Sequence, residues 1–144
     1  MKTVAQLLQA KGPGAWSVPP HTTVYEALVV MADKNIGAVL VTEGDRLVGI
    51  FSERDYARKV VLVGKSSKDT AVSEVMTPRV LYVRPDQTIE DCMALMTDKH
   101  IRHLPVLDGE RLAGLISIGD VVKSIISDQS FMIAQLENYI AGGR

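Results

Sequence analysis

The sequence predicts an α/β (α+β) protein built from two copies of one β-α-β-β-α unit. The copies are related by a pseudo-twofold axis and followed by a C-terminal helix. Three observations predict this. The sequence aligns with itself at an offset of 65, Val18–Val60 on Val83–Ile125 without a gap, with 14 identities over the 38 positions from Val18 to Asp55. Each copy carries an apolar stripe at helical spacing, followed by two short apolar runs separated by a turn. Finally, a copy of only about 45–60 residues cannot bury its helix and sheet faces alone, so the two must pack together.

The elements follow in order. The leading segments Thr3–Leu8 and Ala71–Met76 match at an offset of 68, so the first copy has three extra residues, placed in a loop around Lys11-Gly12-Pro13-Gly14. A short strand is expected near Val18 and near Val80–Val83. Thr23-x-x-Glu26 and Thr88-x-x-Asp91 read as helix N-caps with an acidic partner at the third helical position. Val24, Ala27, Leu28 and Met31 follow at i, i+3, i+4 and i+7, as do Ile89, Cys92, Met93 and Met96. Ala38–Val41 and Leu104–Leu107 read as buried strands, with turns at Glu43–Arg46 and Asp108–Arg111. Leu47–Phe51 and Leu112–Ile116 return as the second strands of hairpins. A second helix opens at Ser52 and at Ser117. The repeats divide the chain at 1–65 and 66–144, the two forming one module.

After Asp120 a long helix is expected to run to Gly142-Gly143. Its apolar positions Val122, Ile125, Ile126, Ile133, Leu136 and Ile140 exceed what the repeat needs. Such a stripe either folds back on its own module or marks a partner surface.

Composition narrows the function. Lys+Arg is 16 and Asp+Glu is 17, a net charge of −1, without the basic excess of a protein that wraps nucleic acid. Any anion site must be a local cluster. Cys92 is the one cysteine, which excludes an internal disulfide and a multi-Cys zinc site and accords with a reducing, cytoplasmic setting. No apolar run approaches the ~20 residues of a membrane span. The N-terminus is too short and polar for a secretory signal, so the whole chain reads as mature protein.

The doubled motifs carry a family resemblance. Val18-x-Pro20-x-x-Thr23-Val24-x-Glu26-Ala27 through Met31, Ile36–Val41 and Gly49–Asp55 recur as Ile101–Val106 and Gly114–Asp120, joined by Val75-Met76-Thr77-Pro78. From about Val4 to about Ile126 the chain resembles a tandem pair of cystathionine-β-synthase (CBS) domains, a Bateman module, of the stand-alone bacterial type. The resemblance implies a regulatory module for an adenine nucleotide such as AMP, ADP, ATP or NAD. It also implies a homodimer, and a regulated protein that the sequence does not name. Some members of the family serve only in assembly.

The segment Gly-x-x-Ser-x-x-Asp has a physical rationale for such a ligand. Gly49 and Gly114 leave room for close approach. Ser52 and Ser117 sit at helix N-termini, which favour phosphate. Asp55 and Asp120, one turn later, can accept hydrogen bonds from both ribose hydroxyls. Ser-x-x-Asp also reads as a capping box that needs no ligand, and the two readings are compatible. In the first copy Arg54, Arg58 and Lys59 are phosphate candidates. The second copy has Gly119 and Lys123 at the positions of Arg54 and Arg58, which predicts two sites of unequal affinity. It instead carries Arg102 and His103, which the resemblance places beside the cleft.

For the adenine ring the family positions are Val18, Ile36, Gly37 and Ala38, with Val83, Ile101, His103 and Pro105 in the second copy. Thr77 and Pro78 lie at an edge. Core packing is the competing reading for the aliphatic members. His100-x-x-His103 invites a metal, but no further ligand flanks it, so none is expected. No nucleophile–base pair, acidic metal cluster or phosphate-cradling Gly loop is visible, so the expected role is regulatory rather than catalytic. A ligand-free interaction scaffold is the alternative.

Overall fold

The structure is a computed structural model and describes residues 2–12 and 15–142. Pro13 and Gly14 of the expected loop, and Gly143 beyond the last helix, lie outside the described residues.

Helix α1 spans Val4–Lys11, with Thr3 as its N-cap and Gln6 closing the capping box. The first repeat then runs β1 (Ser17–Val18), α2 (Val24–Lys34), β2 (Ala38–Glu43), β3 (Arg46–Ser52) and α3 (Glu53–Tyr56). Helix α3 widens into a π turn over Ala57–Val61, where Leu62 N–H reaches the Ala57 carbonyl at 3.0 Å. A 3₁₀ turn at Val72–Glu74 leads into the second repeat: α4 (Ile89–Lys99), β4 (His103–Asp108), β5 (Arg111–Ser117) and α5 (Ile118–Gly142). The fold is the α+β pair of repeats expected from the sequence.

The repeats match in detail. Thr23 and Thr88 cap α2 and α4 by accepting from Glu26 and Asp91 N–H. Both hairpins turn on a glycine at positive φ, Gly44 at 59° and Gly109 at 65°. Both carry an irregularity in register, at Val41/Thr42 and at Val106/Leu107. One expected element is missing. The first repeat has a parallel strand, β1 on β2, but its counterpart in the second is a lone bridge from Val83 to Val106. In the first repeat Leu40 N–H donates to the Trp16 carbonyl at 2.9 Å. Pro105 stands at the matching position, has no N–H, and leaves that rung unformed.

Each repeat has its own core. Val24, Ala27, Met31, Val39, Val41 and Phe51 fill the first; Ile89, Cys92, Met96, Leu104, Val106 and Ile116 fill the second. Each core is closed by the leading segment of the opposite copy. Val4 and Leu7 of α1 belong to the second core, while Val72 and Val75 belong to the first. Backbone bonds hold the exchange: Val4 N–H to Gln87 O at 2.8 Å, Ala5 N–H to Pro85 O at 2.9 Å, and Val72 N–H to Thr22 O at 2.7 Å. The chain between the repeats is therefore pinned, and the α1 end comes to lie beside the start of α5.

Candidate functional site

Ser52 and Ser117 end β3 and β5, and each caps the helix that follows. Asp55 N–H donates to Ser52 Oγ at 3.2 Å, and Asp55 Oδ2 accepts from Ser52 N–H at 2.9 Å. The second repeat repeats this, with Asp120 N–H on Ser117 Oγ at 3.1 Å and Ser117 N–H on Asp120 Oδ2 at 2.8 Å. Both capping boxes read from the sequence are formed. They fix each aspartate at the mouth of a helix without consuming all its acceptor capacity.

Between the repeats lies a cleft of about 760 Å³, within the usual range for a small-molecule site. From the first repeat it is lined by Gly37, Ser52, Arg54 and Asp55; from the second by Ile101, Arg102, His103 and Ser117. Thr77 joins from the connecting segment, its hydroxyl donating to Asp55 Oδ1 at 3.3 Å. The structure thus gathers nine of the sequence-derived candidates into one cavity.

Others lie elsewhere. Ala38 and Pro105 are buried in the sheets, Val83 is buried in the second core, and Val18 and Ile36 pack with the first core, so none of them lines this cleft. Pro78 and Arg58 are exposed outside it. Lys59 pairs with Asp55 along the same helix, Nζ to Oδ1 at 3.2 Å. Arg54 reaches across the cleft, its Nη1 donating to the His100 carbonyl at 3.1 Å. His100 is the left-handed C-cap of α4, at φ 55°, so its backbone finishes a helix as Asn35 does in the first repeat. No cluster of three metal-ligating side chains forms among the described residues.

The cleft also contains cations that the motif reading missed. Arg79 and Lys99 line it, giving four cations with Arg54 and Arg102 against the two carboxylates Glu53 and Asp55. Arg79 could have been found, because it matches Lys11 under the offset of 68 that aligns the leading segments. Val80, Leu81, Ile50 and Ile118 supply apolar surface.

Asp120 does not line this cleft. Lys11, the last residue of α1, places Nζ 2.7 Å from Asp120 Oδ2 and 2.7 Å from the Leu115 carbonyl. Burial alone raises the Asp120 pKa, but the Lys11 bond and the Ser117 N–H outweigh it and hold the carboxyl below the ordinary aspartate value. His103 is held below its ordinary value by burial and by the charges of Lys11 and Arg102, against the pull of Asp120.

Two fused repeats, exchanged leading segments and a polar cleft between them define a tandem α+β module. The sequence profile described as "CBS domain" matches residues 13–62 and 72–127, and the chain belongs to that family. It is 37% identical over 150 residues to the mitochondrial CBS domain-containing protein CBSX3 of Arabidopsis thaliana, covering 98% of this chain and 73% of that one. Among solved structures, a candidate signal-transduction protein with CBS domains from Burkholderia ambifaria is 56% identical, with a TM-score of 0.85 over 89% of this chain and 96% of its own. A CBS domain protein from Pyrobaculum aerophilum, solved in complex with AMP, is 24% identical with a TM-score of 0.74, covering 82% of this chain and 88% of its own. At that identity it supports the shared fold.

Proposed function

We propose that the chain is a regulatory module that binds an adenine nucleotide in the cleft between its repeats. Occupancy would be passed to a regulated protein through a change in conformation or self-association. The observation that carries this reading is the division of labour across the cleft. A carboxylate fixed at a helix start, Asp55, faces Arg102 and His103 from the other repeat. Aspartate suits a ribose diol, and a guanidinium fork suits phosphate. The flanking Arg79 and Lys99 suit a ligand with more than one phosphate, such as ADP, ATP or NAD, as well as AMP. The AMP complex of the Pyrobaculum relative supports the adenine assignment. The exposed stripe of α5 supports a homodimer, and the single buried cysteine accords with a reducing, cytoplasmic setting.

Thermal unfolding of ligand-free protein with AMP, ADP, ATP, NAD and GTP, each at about 1 mM, tests the reading. A ligand at ~100 times its Kd adds about 2.7 kcal/mol, a shift of several degrees at this length. The expected result is a shift with at least one adenine nucleotide, none with GTP, and loss of the shift in Asp55→Ala. No shift with any nucleotide would leave the scaffold reading, in which both Ser-x-x-Asp segments are caps alone.

A further inference from the structure

The two repeats present the same Ser-x-x-Asp cap, yet only one of the aspartates faces the cleft. We propose that Lys11 is a latch that closes the ribose seat at Asp120, so that the chain binds one nucleotide rather than two. The proposal rests on the adenine-nucleotide reading above and adds which of the two equivalent seats is open, and why.

The latch is anchored at both ends. Lys11 ends a helix whose Val4 and Leu7 are buried in the second core and whose first turn is bonded to Gln87 and Pro85. Its ammonium is held between the Asp120 carboxylate and the Leu115 carbonyl, each at 2.7 Å. Asp120 Oδ2 therefore already receives two donors, Lys11 Nζ and the Ser117 N–H. A ribose diol that engages both carboxylate oxygens must displace the ammonium. Displacement would leave a charge of either sign partly buried, since the two side chains are only 32% and 21% exposed.

The first repeat lacks this arrangement. The residue matching Lys11 under the offset of 68 is Arg79, which lines the open cleft and makes no ion pair with Asp55. Asp55 is itself well engaged, with Ser52 N–H and Oγ on Oδ2, Thr77 Oγ1 and Lys59 Nζ on Oδ1, and a side chain 11% exposed, but its one charged partner is Lys59, from the same helix, at 3.2 Å. The Lys59 ammonium, 44% exposed, is the more readily surrendered of the two, because it lacks the second anchor that the Leu115 carbonyl gives Lys11. Lys59 matches Ser124 in the second repeat, where the buried hydroxyl has no hydrogen-bond partner among the described residues. The second repeat has lost the local cation and gained one from a residue 109 positions away.

Isothermal titration of ligand-free protein with AMP, and separately with ATP, tests the latch in the wild type, Lys11→Met and Lys11→Gln. Lys11 sits at the exposed end of α1, and the glutamine variant retains a donor if the apolar replacement perturbs folding. The expected stoichiometry is one nucleotide per chain in the wild type and two in either variant. The added site should disappear again in Lys11→Met/Asp120→Ala. Two sites in the wild type, or one site in both Lys11 variants, would overturn the latch while leaving the nucleotide reading intact. Binding of neither nucleotide by any variant would overturn both. A readout without ligand is the Asp120 titration followed by NMR, which should move up toward the ordinary aspartate value in Lys11→Met. An unmoved Asp120 would show that the ion pair does not form, and would also overturn the proposal.

Discussion

A Cβ placed on Gly114 would stand 2.7 Å from Cδ2 of Leu8, closer than packed carbon atoms approach. Strand β5 can therefore lie against α1 only because position 114 has no side chain. Gly49 is in the same relation to Met76, the residue that matches Leu8. Gly114→Ala should force Leu8 to tilt, at about 1 kcal/mol, the low end of the overpacking range because the obstacle is a side-chain tip. That lowers Tm by a few degrees at this chain length. Adding Leu8→Ala should remove the clash, so the double variant should lose less than the sum of the single losses in urea unfolding. Strict additivity would show that the contact is not tight.

The same pair of contacts marks where sequence reasoning stops. Caps, stripes and hairpin turns were legible at Thr23, Met31, Gly44 and their partners, because each depends on neighbours within a few residues. The missing strand at Val83 was also legible in principle, since Pro105 lacks the donor that Leu40 uses. The exchange of leading segments was not. Val4 and Val72 carry the same local pattern, and nothing in that pattern says which core each closes. For the same reason Lys11 was read as part of a loop, although its ammonium ends on Asp120. The cleft was legible in its polar half, Ser52, Asp55, Arg102 and His103. Of the apolar positions that the resemblance supplied, Gly37 and Ile101 line it, whereas Val18, Ile36, Ala38, Val83 and Pro105 are buried or packed with the cores, the competing reading for aliphatic residues.

Acid should weaken the fold in two steps. The folded pKa of His103 lies below 6.5, so above 6.5 the residue is neutral in both states and imposes no penalty. As pH falls from 6.5 to the folded value, the unfolded chain takes up a proton that the folded chain resists, and stability is lost. Asp120 acts lower down. Its folded pKa lies below 3.8, so its contribution is complete above 3.8 and is lost as pH falls through the folded value. Urea midpoints measured across this range should decline in both windows. His103→Gln should flatten the upper step alone, whereas Lys11→Met should shrink the lower one and part of the upper, since the Lys11 charge also depresses the His103 pKa; an upper step unchanged in His103→Gln would assign it to another group.

Cys92 should be chemically silent while the protein is folded. The thiol is fully buried on α4, and burial with Asp91 and Glu90 beside it pushes its pKa to about 11. Thiolate is the reacting species, so little is present at neutral pH. A thiol reagent such as DTNB should react at the rate of unfolding, and at once in denaturant. Fast stoichiometric reaction under native conditions would contradict the burial of α4.

Helix α5 changes character along its length. Val121 is buried in the second core and Ile125 packs against it, and Lys2 pairs with Asp128 at 3.2 Å. Beyond that point Phe131, Met132, Ile133, Leu136 and Ile140 are each more than half exposed. A helical segment of this length is marginal in water without a packed face, so its persistence argues for a cover. A second copy of the chain supplies an identical stripe, and two such stripes exclude water from each other. The protein should therefore run as a dimer in size-exclusion chromatography with light scattering. Ile133→Glu/Leu136→Glu should convert it to a monomer with an unchanged nucleotide shift, because neither residue lines the cleft. A dimer that survives both charges would place the interface away from α5. A wild-type monomer at micromolar concentration would leave the stripe for the regulated protein.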